Sequence, residues 1–157
     1  MAKKIDRSPA YATAMISIPL LVREETNKRL TTPEDISELC KEMKDYAQEV
    51  FVVVLLDGKN KLITKTVVTQ GLLDATMVHP REIFRMAIER SASALILVHN
   101  HPSGDPTPSA EDLRITKQLI QAGKIIDIKV LDHLIIGHDQ ERKIKHLSLR
   151  DSGVIQF

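Results

Sequence analysis

The sequence predicts a single α/β domain built on a mixed sheet with flanking helices. Three observations carry that expectation. Two apolar runs, EVFVVVLLD over residues 49–57 and ALILV over 94–98, are too uniformly hydrophobic for strands with one wet face, and read as strands buried on both sides. Three helix starts stand among them, at Thr32-Pro33, Pro80 and Ser109, each with its own capping signal. The resulting order, β-α-β-β-α-β-α-β, interleaves the two kinds of element in the way one mixed sheet requires.

Each element follows from local chemistry. Residues 14–23 have strand character, and Pro19, which cannot donate to a ladder, pushes that strand to a sheet edge. Residues 1–30 therefore read as an N-terminal edge strand and extension, and residues 31–157 as the domain proper. Thr32, Pro33, Glu34 and Asp35 supply a capping hydroxyl, a proline at the first helical position and two acids that suit the helix dipole. Ile36, Leu39, Cys40, Met43 and Ala47 then recur at helical spacing. After the first buried strand, DGKN over 57–60 is a turn in which Gly58 can take a positive φ, and KLITKTVVT over 61–69 returns as the second arm of a hairpin. The basic run KNKLITK reads as a solvated part of it.

Pro80 opens a second helix with Ile83, Phe84, Ala87 and Ile88 on one face. His79 serves the turn before it, and Glu82 sits in its first turn; Arg81 could bind a carboxylate, with no partner legible in the sequence. ALILV is the next strand. A loop rich in proline and glycine covers 100–108, and Ser109 starts a third helix expected to run to Gly123, which stands where a C-terminal cap belongs. Residues 125–137 hold one long strand or two short ones. Residues 138–146 are polar and read as a surface loop, with His138 and His146 exposed in it. The final LSLRDSGVIQF offers a last edge strand.

Composition excludes several function classes. At 157 residues the chain fits one domain, and 43% hydrophobic residues suffice for a core. With 22 basic and 21 acidic residues the net charge is +1, so no long-range field draws the protein onto nucleic acid or an anionic membrane. Aromatic residues are 3% and tryptophan is absent, which argues against a base-stacking platform. Cys40 is the only cysteine, so there is no internal disulfide and no cysteine-built zinc knuckle. The apolar N-terminal stretch is interrupted by Thr13, Ser17 and Pro19, which speaks against a signal peptide, and no run approaches the ~20 residues of a spanning helix. A cytoplasmic, membrane-free protein is the expectation. The residues select no oligomeric state, although an edge strand could pair between subunits.

The chemistry concentrates in ILVHNHPSGDPTPSAED, residues 96–112. His99 and His101, two apart on an extended segment, put their Cα atoms about 7 Å apart on one side, close enough for two imidazoles to converge on a metal ion. Pro102, Pro106 and Pro108 stiffen the following loop, Gly104 permits a sharp bend, and Asp112 can return over the histidines from the first helical turn. Two histidines and a carboxylate form the ligand set of a catalytic zinc whose fourth position stays open to water, with a further carboxylate needed as base. The same residues have a structural reading. Ser109-x-x-Asp112 is a capping-box pattern, and Asp112 could serve the helix dipole alone. Asp105 is a spare candidate ligand, and His133 reads as a buried, hydrogen-bonded histidine that could orient the site from behind.

Taken jointly, His-x-His-Pro, a serine eight residues after the second histidine and an aspartate three further on resemble the JAMM motif of the JAB/MPN metalloproteases, and HNHPSGDPTPSAED resembles the RadC branch. EVFVVVLLDGKNKLI, VHPREIFRMAIERSASALIL and LDHLIIG extend the likeness over roughly residues 30–140. The resemblance implies a mixed-sheet domain of JAB/MPN, cytidine-deaminase-like type. It implies His99, His101 and Asp112 as ligands of Zn²⁺, Glu49 as the catalytic base, and Ser109 as the residue that steadies the developing oxyanion. It implies a peptidase or isopeptidase acting on an unidentified peptide or protein. A longer RadC protein would carry an N-terminal helix-hairpin-helix region, for which this chain leaves no room, so the likeness is to a stand-alone JAB domain. The alternative is a non-hydrolytic module working with DNA-repair or DNA-processing proteins. A metal-dependent nuclease suits the residues less well, because such enzymes hold Mg²⁺ with carboxylates.

Overall fold

The computed structural model describes residues 29–71 and 78–157. The expected edge strand over residues 14–23 lies outside them.

Among the described residues, five strands form one sheet in the order β2-β1-β3-β4-β5. They are β1 (Val50–Leu56), β2 (Leu62–Gln70), β3 (Ala94–Asn100), β4 (Lys129–His138) and β5 (Ile144–Ser148). β1 pairs antiparallel with β2 and β3, β3 runs parallel to β4, and β5 returns antiparallel on the far edge. Three α-helices of the described residues, α1 (Pro33–Leu39), α2 (Pro80–Glu89) and α3 (Ala110–Ile126), cover the sheet.

Alternation along the strands builds a core on each face. Phe51, Val53 and Leu55 of β1, with Leu95 and Leu97 of β3, meet Ile83, Phe84 and Ala87 of α2 and Ile115, Leu119 and Ile120 of α3. Val50, Val52, Val54 and Leu56, with Ile96 and Val98, meet Ile36 of α1 and the neighbouring Cys40 and Met43. All seven residues of β1 and all seven of β3 are buried, which accounts for their unbroken apolar composition. On β4 the register slips by one: Leu95 pairs with Val130 but Ile96 with Asp132. Leu131 is the extra residue, and it brings His133 onto the α2/α3 face beside Leu97.

Four local expectations are corrected. The first helix ends at Leu39 and continues as a 3₁₀ turn over Lys41–Asp45, whose tighter winding keeps Met43 in the core, while Ala47 lies beyond it. In the hairpin turn the positive φ belongs to Asn60, at 58°, rather than to Gly58. Gly123 is buried inside α3, which runs on to Ile126 and is capped by Asp127 in the left-handed conformation. A Cβ at Gly123 would lie 2.4 Å from the Ile128 carbonyl oxygen, so the glycine serves the close return of the chain toward β4. The last strand begins at Ile144, inside the polar run read as a loop, and residues after Ser148 form turns.

Candidate metal centre

The topology gathers the motif at one end of the sheet. His99 is the penultimate residue of β3, and α3 begins ten residues beyond Asn100. Because β1 is antiparallel to β3, the start of β1 lies beside the end of β3: Phe51 pairs with His99. Glu49, one residue before β1, is thus carried to the same corner.

Ser109 caps α3 as its spacing implied. Its Oγ accepts from the Asp112 N–H at 3.1 Å, and its own N–H donates to Asp112 Oδ2 at 2.7 Å. The structural and chemical readings of the pair coincide, because the cap holds the carboxylate against the histidines, Oδ1 toward His99 and Oδ2 toward His101. Asp112 Oδ1 lies 3.2 Å from His99 Nε2, and Asp112 Oδ2 lies 3.5 Å from His101 Nε2. The two Nε2 atoms are 2.9 Å apart. Glu49 Oε1 stands 3.7 Å from His99 Nε2 and 4.0 Å from His101 Nε2. One ligand atom from each of Glu49, His99, His101 and Asp112 falls within 4.8 Å of all the others. His99 and Asp112 are 0% and 2% exposed, whereas His101 and Glu49 are 17% and 19% exposed, so the cluster is sealed beneath and opens to solvent on the side of His101 and Glu49.

Hydrogen-bond counting fixes which ring nitrogens carry protons. The Thr116 hydroxyl donates to the Asp112 carbonyl at 2.6 Å, so its oxygen must accept from His133 Nδ1 at 2.5 Å. His133 Nε2 is then an acceptor, and the His99 Nδ1–H donates to it at 2.8 Å. His99 is left with its Nε2 lone pair facing the cluster. Burial, reinforced by repulsion from His99, pushes the His133 pKa well down, in keeping with the neutral ring this chain requires. His101 obeys the same logic: its Nδ1–H donates to the Asp105 carbonyl at 2.7 Å, and its Nε2 lone pair points inward.

Two lone pairs 2.9 Å apart beside a buried carboxylate form a site that demands a cation. The electrostatics favour a proton there. The hydrogen bond to Asp112 raises the His101 pKa against the effect of burial. Burial alone would raise the Asp112 pKa, but the neighbouring His101 and His99 rings and the Ser109 hydroxyl outweigh it and hold the carboxyl below the usual range. A metal suits the donor set too. Two ligands on a tetrahedral ion with bonds of about 2.0–2.1 Å lie about 3.3–3.4 Å apart. The histidine–aspartate separations of 3.2 and 3.5 Å, one to each carboxylate oxygen, lie near that edge, the 2.9 Å between the two Nε2 atoms falls short of it, and the Glu49 separations of 3.7 and 4.0 Å exceed it.

The loop that carries His101 is stitched to β4. The His101 N–H donates to the Ile136 carbonyl, the Gly104 N–H to the His101 carbonyl, and the His138 N–H to the Gly104 carbonyl, each at 2.9 Å. Gly104 has φ +88°, and a Cβ on Gly137 would lie 2.1 Å from the Gly104 oxygen. Behind the site, Phe51 stacks on His99 with centroids 6.1 Å apart.

Other candidates fall elsewhere. The Asp105 carboxylate binds Thr107, and only its backbone carbonyl serves the site. His79 is the backbone N-cap of α2. His138 bonds the Asp139 carbonyl and Arg142, and His146 lies 3.7 Å from Glu34. Arg81 and Glu82 are surface neighbours of each other, and Glu111 pairs with Arg114. Sequence reasoning missed Thr116, Asn100 and Gly137. Thr116 interrupts the apolar stripe of α3, and Gly137 sits inside a strand, where glycine signals close backbone approach. Those were the available signals.

The RadC-like JAB domain family matches residues 30–154. The chain belongs to that family. A UPF0758 protein of Caldanaerobacter subterraneus subsp. tengcongensis is 50% identical over 139 residues, 88% of this chain and 58% of that protein. UPF0758 proteins of Desulforamulus reducens and Methanosarcina mazei are 48% and 40% identical, each over 56% of their own length and over 83% and 85% of this chain. The chain therefore spans less than three-fifths of these curated relatives. The single mixed sheet flanked by helices is the architecture expected of a RadC-like JAB domain, and its Glu-His-His-Asp group fits metal binding of the JAMM kind. Among the described residues, no helix is long and apolar enough to cross a membrane.

Proposed function

We propose that the protein is a zinc-dependent hydrolase of JAMM type that cleaves an amide, as a peptidase or isopeptidase. The observation that supports this best is the pairing of two inward imidazole lone pairs with a buried carboxylate, beside a partly exposed Glu49 that stands farther off. His99, His101 and Asp112 would hold the ion. When bound, zinc would supply Lewis acidity, lowering the pKa of a water toward ~7 and polarising the amide carbonyl.

Glu49 receives the proton that the attacking water gives up and delivers it to the nitrogen of the departing amine. Its position on the open side of the cluster gives it access to both. Ser109 has two tasks. At rest its hydroxyl donates to Asp112 Oδ2 at 2.6 Å and keeps the carboxylate oriented. Turning that hydroxyl toward the substrate oxygen would steady the charge that develops there, while the Ser109 N–H keeps hold of Asp112. The single buried thiol of Cys40 suits a reducing compartment such as the cytoplasm.

The test is metal analysis followed by hydrolysis of peptide and isopeptide libraries by wild type and Glu49→Gln. The proposal expects zinc in both proteins and cleavage reduced by about 10²–10⁴-fold in the variant. A protein that keeps zinc, cleaves nothing, and behaves identically with glutamine at position 49 would overturn it.

A further inference from the structure

Asn100 lies between the two candidate ligands in sequence and takes no part in the cluster. It is 1% exposed, and strand alternation turns it from the face that His99 occupies. Its backbone belongs to the β3–β4 ladder, opposite Ile136. Its side chain reaches across to β1 instead. Oδ1 accepts from the Val50 N–H at 2.8 Å, and Nδ2 donates to the Gln48 carbonyl at 3.0 Å.

Those two partners flank Glu49. The β1–β3 pairing ends at Phe51 and His99, so the Asn100 amide replaces the next rung with side-chain bonds. From the opposite side, the Gly71 N–H donates to the Glu49 carbonyl at 2.8 Å. The backbone on both sides of Glu49 is thereby fixed, and the residue that fixes it from β3 is the one that separates His99 from His101.

We propose that Asn100 is a positioning residue for Glu49: it locks the segment bearing the base to the strand bearing the ligands. This rests on the reading of Glu49 as the base. Only an amide of this length offers both an acceptor for Val50 and a donor for Gln48. Aspartate would set a carboxylate against the Gln48 carbonyl, and alanine would leave both backbone groups unpaired.

The test uses Co²⁺ alone as the probe, with no substrate. Wild type, Asn100→Ala, Asn100→Asp, Glu49→Gln and the Asn100→Ala/Glu49→Gln double variant are loaded with Co²⁺. The visible spectrum is followed against pH, and the affinity is measured by competition with a chelator. Asn100→Ala is expected to hold Co²⁺ within about threefold of wild type, because Asn100 touches neither the ion's site nor the ligand side chains. Its spectrum and the pH at which that spectrum changes should move toward those of Glu49→Gln, and the double variant should match Glu49→Gln. Asn100→Asp, close in shape and still able to accept from Val50, is read by the same criteria if the alanine variant does not fold. The proposal is overturned if the Asn100 variants keep the wild-type spectrum while Glu49→Gln changes it. It is also overturned if they lose Co²⁺ as severely as His101→Ala, which marks general loosening. If Glu49→Gln itself leaves the spectrum unchanged, the assignment of the base fails and this proposal fails with it.

Discussion

His133 Nε2 accepts the Nδ1 proton of His99 at 2.8 Å, so a fully buried histidine on β4 decides which nitrogen of a β3 histidine faces the open corner of the sheet. The relay continues to Thr116 and closes on the backbone of Asp112. Two of the three candidate ligands, His99 and Asp112, are therefore joined by one hydrogen-bonded circuit. Thr116→Val keeps the shape of the side chain and removes the acceptor for His133 Nδ1. The expected result is a folded protein whose zinc affinity falls about tenfold or more, since partners behind a ligand are commonly worth 10–100-fold. The orphaned N–H should also cost about 1–3 kcal/mol of stability. Chelator competition and thermal denaturation measure the two effects. Unchanged affinity would show that the tautomer of His99 does not depend on this circuit.

The pH dependence of the metal-free and metal-loaded proteins should have opposite signs. In the metal-free protein the His101 pKa is raised, first by its bond to Asp112, so its stabilising contribution is complete below the unfolded pKa of about 6.5 and is lost as pH rises through the folded value. Asp112 is depressed, so its contribution is present above about 3.9 and is lost only as pH falls through a much lower folded value. The metal-free protein should accordingly be most stable, through this pair, between about pH 4 and 6.5, and should lose stability above that range. Zinc must displace any proton on His101 Nε2 to reach its lone pair, so affinity should weaken as pH drops into the same window. Thermal melts with and without zinc at pH 5.5 and 8.5 read both trends. A metal-free Tm that climbs between those values would contradict the first.

Much of this arrangement was legible in residue order. The apolar blocks of β1 and β3, the Thr32 and Pro80 helix starts and the Ser109 cap need only local chemistry, and the structure places Glu49, His99, His101, Ser109 and Asp112 at one corner. What stayed hidden depended on register and on distance in the sequence. Counting by twos puts Val130 and His133 on opposite faces of β4, and only the extra residue Leu131 brings them to the same one. Asn100 resembles an incidental spacer until the end of β1 arrives beside it. Gly123 carries a cap signal that local rules reward, yet the helix continues because the following chain needs the space a side chain would fill.

Ser109→Ala separates the structural from the chemical role of the cap. The hydroxyl accepts from the Asp112 N–H and donates to its carboxylate, while the Ser109 N–H holds the same carboxylate independently. Loss of the cap should cost about 1 kcal/mol, a modest drop in Tm. Zinc should still bind, because the backbone bond to Asp112 survives. If amide hydrolysis falls by far more than zinc occupancy, the hydroxyl acts on the substrate. If both fall together, its work is confined to Asp112.

Gly137→Ala tests whether the proline loop must lie against β4 for His101 to reach the site. The added methyl group would meet the Gly104 oxygen at 2.1 Å and the Gly104 carbonyl carbon at 2.8 Å, both backbone atoms that cannot rotate aside. The loop must lift, and the Gly104–His138 bond must stretch with it. Since the His101 carbonyl anchors the turn to Gly104 and the Asp105 carbonyl holds His101 Nδ1, the displacement passes directly to the imidazole. Overpacking of this kind costs about 1–3 kcal/mol. Zinc affinity should drop more than in an alanine substitution at an exposed strand position such as Lys145, measured by the same chelator competition. Retention of wild-type affinity would mean that the loop finds another route to place His101, and that its close contact with β4 is incidental to the metal centre.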